Sequence, residues 1–172
     1  MDSGGITRAS SEGLRLAGPG GRSILLKAGS TETQGAYSLL KLTAPSGSPW
    51  STHHTHPATE AWYVLDGELT FRLGERILPA PAGSFVLAPG GTPHSQVNSG
   101  PGPAEYLVIF SPGGLEDFFL HLSELIERAR PNQPNPDALN ALAERYGTSP
   151  EVASPHFSTS SGTRPICPRL GY

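Results

Sequence analysis

The sequence predicts an all-β fold, a sandwich or barrel, followed by one or two C-terminal helices. Three observations carry this reading. Apolar or alternating segments of strand length recur from about Arg22 to Ser111, separated by Gly and Pro. The chain has 21 glycines and 18 prolines in 172 residues, which suits a turn-rich sheet better than a helical bundle. After Pro112 the apolar residues change to a helical spacing.

In chain order, residues 1–20 read as an N-terminal extension, and residues 21–112 as one β-domain. Its strands are expected at "RSILLKA", "AYSLLKLTA", "AWYVL", "ELTFRL", "GSFVLAP" and "AEYLVIF". The Asp66-Gly67 pair carries the signal of a tight hairpin. Residues 113–147 read as C-terminal helices. Leu115, Phe118, Phe119, Leu122, Leu125 and Ile126 fall on one stripe of a helix. Glu116 and Asp117 in its first turn and Arg128 and Arg130 in its last complement the helix dipole, and Pro131 ends it. A shorter helix is expected from Pro136, capped by Asn135 and stopped at Gly147. Residues 148–172 are rich in Ser, Thr and Pro, with few large apolar side chains, and read as an extended or disordered tail. There is no internal repeat.

Charge and composition exclude several functions. Twelve basic and fifteen acidic residues give a formal charge of −3, and there is no run of Lys or Arg. The chain therefore lacks the basic footprint expected for nucleic acid or an anionic membrane. The N-terminal residues carry no apolar signal segment, and no stretch approaches the length needed to span a bilayer, so a cytoplasmic location is the expectation. The single cysteine, Cys167, excludes an intrachain disulfide and a thiolate metal cage.

The chemistry is concentrated in "HHTHPATE", His53 to Glu60. In a strand, His54 and His56 point to one face while His53 and Thr55 point to the other. Glu60 shares the parity of His54 and His56 if the strand continues past Pro57. Ionisable side chains gathered inside a barrel are costly unless something binds them. A divalent cation answers this, since neutral imidazoles and one carboxylate supply N and O ligands. A fourth ligand should come from another strand, and His94 in "GSFVLAPGGTPHSQVN" is the candidate. Asn98 reads as a turn-capping side chain, while His121 and His156 read as off-site histidines.

The segment Gly83, Pro89, Gly91, His94, Asn98 resembles the second signature of the cupin superfamily at every fixed position. Gly47, His54, His56, Glu60 and Gly67 resemble the first. One departure exists: six residues separate Gly47 from His54, where the family usually has five. The departure offers His53 as a rival ligand, although the His-x-His spacing and the distance to Glu60 favour His54. The resemblance implies a jelly-roll β-barrel holding one divalent transition metal ion (Fe, Ni, Mn, Co, Cu or Zn) through His54, His56, Glu60 and His94. Two coordination positions would stay open on an octahedral ion.

Within the superfamily, a single barrel followed by "GLEDFFLHL" and "LAERYG" looks most like the small quercetin-dioxygenase-like cupins. That resemblance implies a metal-dependent dioxygenase acting on a small enolic or aromatic, flavonol-like substrate, with dioxygen as partner and Glu60 as catalytic base. A metal-dependent isomerase, cyclase or decarboxylase is the alternative, and a non-catalytic small-molecule-binding barrel is the third reading. Gln96, Tyr37 and Trp62 are the candidate substrate contacts, with Trp50 and Tyr106 as further candidates for apolar walls. Lys41, inside an apolar strand pattern, is expected to reach solvent along its stem. Cupins often dimerise through their sheets, so a homodimer is expected.

Overall fold

The structure, a computed structural model, describes residues 5–150. Cys167, His156 and most of the expected tail lie outside the described residues. The strands are β1 (Leu14–Ala17), β2 (Ser23–Ala28), β3 (Ser38–Ala44), β4 (His54–Thr55), β5 (Thr59–Asp66), β6 (Glu68–Leu73), β7 (Arg76–Pro81), β8 (Phe85–Ala88), β9 (His94–Asn98), β10 (Ala104–Ser111) and β11 (Ser149–Pro150). Two helices, α1 (Glu116–Ala129) and α2 (Pro136–Arg145), follow β10. The six segments expected as strands are β2, β3, β5, β6, β8 and β10.

The strands form two antiparallel sheets, ordered β1-β2-β3-β10-β5-β8 and β11-β4-β9-β6-β7. Alternation along β3 and β10 sends Leu40, Leu42, Val108 and Phe110 inward, where they meet Trp62 and Phe71 in one buried core. Opposite parity leaves Tyr63, Phe85, Leu87 and Ile109 exposed on the outer face of the six-stranded sheet. Lys41 is on that outer face too, paired with Glu105 at 2.9 Å, which agrees with a stem reaching solvent.

Three features differ from the sequence expectation. Asp66-Gly67 does not close a hairpin, because β5 and β6 belong to different sheets and the pair marks a corner between them. The tight turn is one step later, where Gly74 and Glu75 join Leu73 to its partner Arg76. Strand β7 contains Pro79 and Pro81, which weaken any strand signal. Its place at the edge of the five-stranded sheet is where proline is tolerated. Strand β1 falls within the residues read as an extension and pairs with β2.

Helix α1 turns its apolar stripe toward the barrel, with Leu122 buried and Leu115 and Phe119 packed on the core. It is tied down at two points. The Ala17 backbone N–H donates to Ser123 Oγ at 2.8 Å. The buried Glu116 carboxylate accepts from the backbone N–H of Ser30 and, at 2.6 Å, from that of Gly114. In α2, Asn135 Oδ1 accepts from Asp137 N–H at 2.8 Å, the expected N-cap, with Pro136 in the first turn.

Burial alone would raise the pKa of Glu116, but the hydrogen bonds from Ser30 and Gly114 outweigh it and hold the value below the ordinary carboxylate range. Its stabilisation is therefore complete above the unfolded-state pKa of about 4.3 and is lost as the pH falls through the lower folded-state value. At pH 7, Glu116→Gln should cost roughly 1.5–3 kcal/mol in urea unfolding. The gap from wild type should close progressively below about pH 4.

Candidate metal centre

Four side chains from three places in the chain meet inside the barrel. β4 and β9 pair so that His54 is directly opposite His94. Glu60 comes from β5 in the other sheet, and His56 follows β4 by one residue. One ligand atom from each of the four lies within 4.8 Å of every other. The imidazole centroids are 4.5 Å apart for His54 and His94 and 4.9 Å for His56 and His94.

The segments are brought together by the turn Pro89 to Gly91. Gly91 N–H donates to His56 O at 2.8 Å. A Cβ on Gly90 would come within 2.0 Å of Pro57 O, so only glycine allows this turn to seat against the His56-Pro57 backbone. The two signature segments are thus locked to each other by main-chain contact.

Hydrogen bonds fix which nitrogens face the centre. Nδ1 of His54 is 2.7 Å from Thr52 O, and Nδ1 of His94 is 2.7 Å from Thr92 O. Each Nδ1 must carry a proton to donate to its carbonyl, so in the neutral ring Nε2 holds a lone pair. Glu60 Oε2 lies 2.9 Å from His56 Nε2 and 3.0 Å from His94 Nε2. A carboxylate oxygen and a neutral His94 Nε2 at this distance are two acceptors facing each other. The arrangement is stable only with a cation between them, either a proton on the ring or a metal ion.

The titration behaviour follows from that crowding. Burial would lower the pKa of His94, but the hydrogen bond and charge of Glu60 raise it overall. Burial would raise the pKa of Glu60, yet its bonds to His56 and His94 hold it low. His54 is lowered by burial first and then by the charge on His94. The set is thus an ionised carboxylate among imidazoles, a donor group of the kind that holds a divalent cation.

His54, His56, Glu60 and Gln96 all line a cavity of about 340 Å³. Its walls are apolar: Ile24 and Leu42 from the barrel, Phe110 from β10, Phe118 and Phe119 from α1, and Leu139 from α2. Of the candidate substrate contacts, only Gln96 is on this wall. Trp62, 1% exposed, packs behind the site against His94 and Phe71, with centroids at 5.4 and 5.0 Å. Tyr37 and Trp50 are exposed and do not line the cavity. Tyr106 is buried behind the wall. His53 points to Ser95 Oγ at 3.2 Å and is outside the four-residue cluster. His121 meets Asp117 O and Tyr146 on the helices, and Asn98 caps its turn by bonds to Ala44 O, Gly102 O and Gly100 N–H. Arg22 and the helix residues on the wall were not singled out from sequence. The stripe of α1 signalled a buried face, without indicating that part of it would border a cavity.

If the cluster holds the ion, the purified chain should carry one divalent metal by elemental analysis after equilibration and desalting. His53→Ala should keep it, while His54→Ala and His94→Ala should lose it. Wild type should also gain about 2.7 kcal/mol of stability at an ion concentration of 100 Kd, and the His94→Ala variant none.

The comparisons agree with this architecture. A family model described as the cupin domain matches residues 41–110. A cupin of the RmlC-like type from Shewanella frigidimarina superposes with a TM-score of 0.54 at 20% identity, covering 64% of this chain and 93% of that one. A predicted oxalate decarboxylase from Thermotoga maritima gives 0.53 at 20% identity, covering 62% and 98%. An oxalate decarboxylase mutant from Bacillus subtilis gives 0.51 at 20% identity, covering 59% of this chain and 28% of that one. No curated protein sequence matches the chain. With two antiparallel sheets, both signature segments converging on one cluster and the family match running from within β3 to β10, residues 41–110 form a cupin domain.

Proposed function

We propose that this protein is a metal-dependent enzyme of quercetinase-like type, a dioxygenase acting on a small enolic or aromatic substrate. The observation that carries the reading is a mostly apolar cavity bordered at one end by His54, His56 and Glu60 of the three-histidine, one-carboxylate cluster. An aromatic or alkyl body gains by leaving water for walls such as Ile24, Leu42, Phe118 and Phe119, and those walls exclude water from the polar end. Dioxygen, also apolar, partitions favourably into such a space.

His54, His56, Glu60 and His94 would hold the metal, which when bound supplies Lewis acidity and open positions for substrate oxygen and dioxygen. Glu60 would act as base. Its carboxylate accepts the proton of a substrate hydroxyl as the O–H bond breaks, leaving the electron pair on the enolate oxygen. The Nε2 atoms of His56 and His94 lie 2.9 and 3.0 Å from Glu60 Oε2, which keeps that carboxylate within the ligand cluster. Phe110, packed against His56 at 5.8 Å and against Phe119 at 5.7 Å, joins the ligand cluster to the helical wall.

Two structurally similar proteins are named as oxalate decarboxylases, which favours a second reading, a metal-dependent decarboxylase or isomerase working without dioxygen. Oxygen-electrode traces from metal-loaded protein with a flavonol or comparable enol should show uptake in step with substrate loss. His94→Ala should reduce the rate by more than about 100-fold. Product formation under strict anaerobiosis would move the second reading to first place.

We further propose a homodimer, on the support of Tyr63, Phe85, Leu87 and Ile109 exposed together on one sheet face. Light scattering should give twice the 18.1 kDa chain mass, and Phe85→Glu should return it to one.

A further inference from the structure

Arg22 is 6% exposed and lines the same cavity as the ligand cluster. Its guanidinium is clamped by main chain. Nη1 donates to Pro19 O at 3.1 Å and Nη2 to Pro49 O at 2.6 Å. The fit is close enough that a Cβ on Gly20 would come within 3.0 Å of Nη1 and 2.9 Å of Pro49 Cδ. Two carbonyls take two of the five N–H donors, and the buried Nε–H has no partner. No carboxylate among the described residues forms an ion pair with it.

A buried guanidinium without a counter-charge is expensive, and main-chain carbonyls offset only part of that cost. The groups around it are donors as well. Gln96 Oε1 accepts from Ser51 Oγ at 3.0 Å, which leaves the Gln96 amide N–H groups to donate. Burial raises the pKa of Tyr106, and hydrogen bonding to its oxygen from Gln96 and Arg22 offsets part of that rise, so the phenol stays protonated beside them. This corner of the cavity holds a fixed positive charge with no carboxylate paired to it among the described residues.

We infer that Arg22 and Gln96 form an anion subsite, and that the substrate is a carboxylate carried on an apolar body. The inference rests on the cavity being the substrate pocket, as proposed above. Arg22 recognises the carboxylate through a charge-assisted hydrogen bond from the guanidinium N–H groups that Pro19 O and Pro49 O leave unused, the apolar walls take the hydrocarbon, and the remaining oxygen function is directed to the His-Glu end.

Calorimetric titration of the full chain with 3-phenylpropanoate and its uncharged analogue 3-phenylpropanamide tests this. The carboxylate should bind about 10- to 100-fold more tightly than the amide, in zinc-loaded and in chelator-treated protein alike. Arg22→Gln should erase the preference, and Arg22→Lys should retain part of it. Equal affinities for acid and amide would overturn the subsite, as would binding of neither at millimolar concentration. So would a carboxylate affinity that disappears on chelation and survives Arg22→Gln, because the metal end alone would then be the binding group. If a variant fails to fold, the acid–amide comparison on wild type still decides. Oxygen uptake with a neutral enol would leave the dioxygenase reading standing while this one fails.

Discussion

The interior of this barrel is organised around an electrostatic demand that protein atoms alone do not meet. Nδ1 of His54 and Nδ1 of His94 are committed to the carbonyls of Thr52 and Thr92, so the lone pairs of their rings turn toward a buried carboxylate. Three imidazoles and one carboxylate within 4.8 Å form a donor group able to hold a cation. A proton on His94 can serve, which is why its pKa rises while that of Glu60 falls. A proton neutralises one contact, whereas a divalent ion meets every donor at once.

The scaffold places those donors with few degrees of freedom. Cross-strand pairing of His54 with His94 fixes two of them by backbone register, and the seating of Gly90 on Pro57, next to His56, locks the same two segments at a second point. Glu60 arrives from the opposite sheet, between Phe110 and Ala88 in strand register, so any shift between sheets would be felt at the carboxylate. Behind His94, Trp62 and Phe71 fill the core and leave the ring little room to rotate. The polar site is therefore held by apolar packing on one side and main-chain hydrogen bonds on the other.

Much of this was legible in the sequence, for physical reasons. Strand alternation through His54 and His56 predicts convergence, because side-chain parity is local. The apolar stripe of α1 and the Asn135 cap of α2 are local too, and the helix boundaries follow. What was not legible depends on distant parts of the chain. Asp66-Gly67 carries a hairpin signal, but whether its two strands pair depends on sheet assignment, which a dipeptide does not encode. Trp62 and Tyr37 are both aromatic and both suit a wall. Only the packed structure puts one behind His94 and the other at the surface. Arg22 reads as an ordinary charge at the start of a strand. Its burial appears when Pro19 and Pro49 close around it.

The distribution of charge gives the cavity a sign opposite to that of the molecule. The chain as a whole carries −3, so a distant anion is weakly repelled. Inside, Arg22 is positive at one corner, and a divalent ion held by the cluster, offset by the single charge of Glu60, would make the other end positive as well. Exposed surface charges lose their reach over about one Debye length, roughly 8 Å at physiological salt, while charges behind apolar walls are screened far less. Selection of an anion would therefore occur after entry, by desolvation against Phe118, Phe119 and Leu139 followed by pairing inside, and not by long-range steering. An apolar acid satisfies both steps. A neutral hydrocarbon satisfies the first and leaves Arg22 without its counter-charge, and a small hydrophilic anion satisfies the second and leaves the walls unfilled.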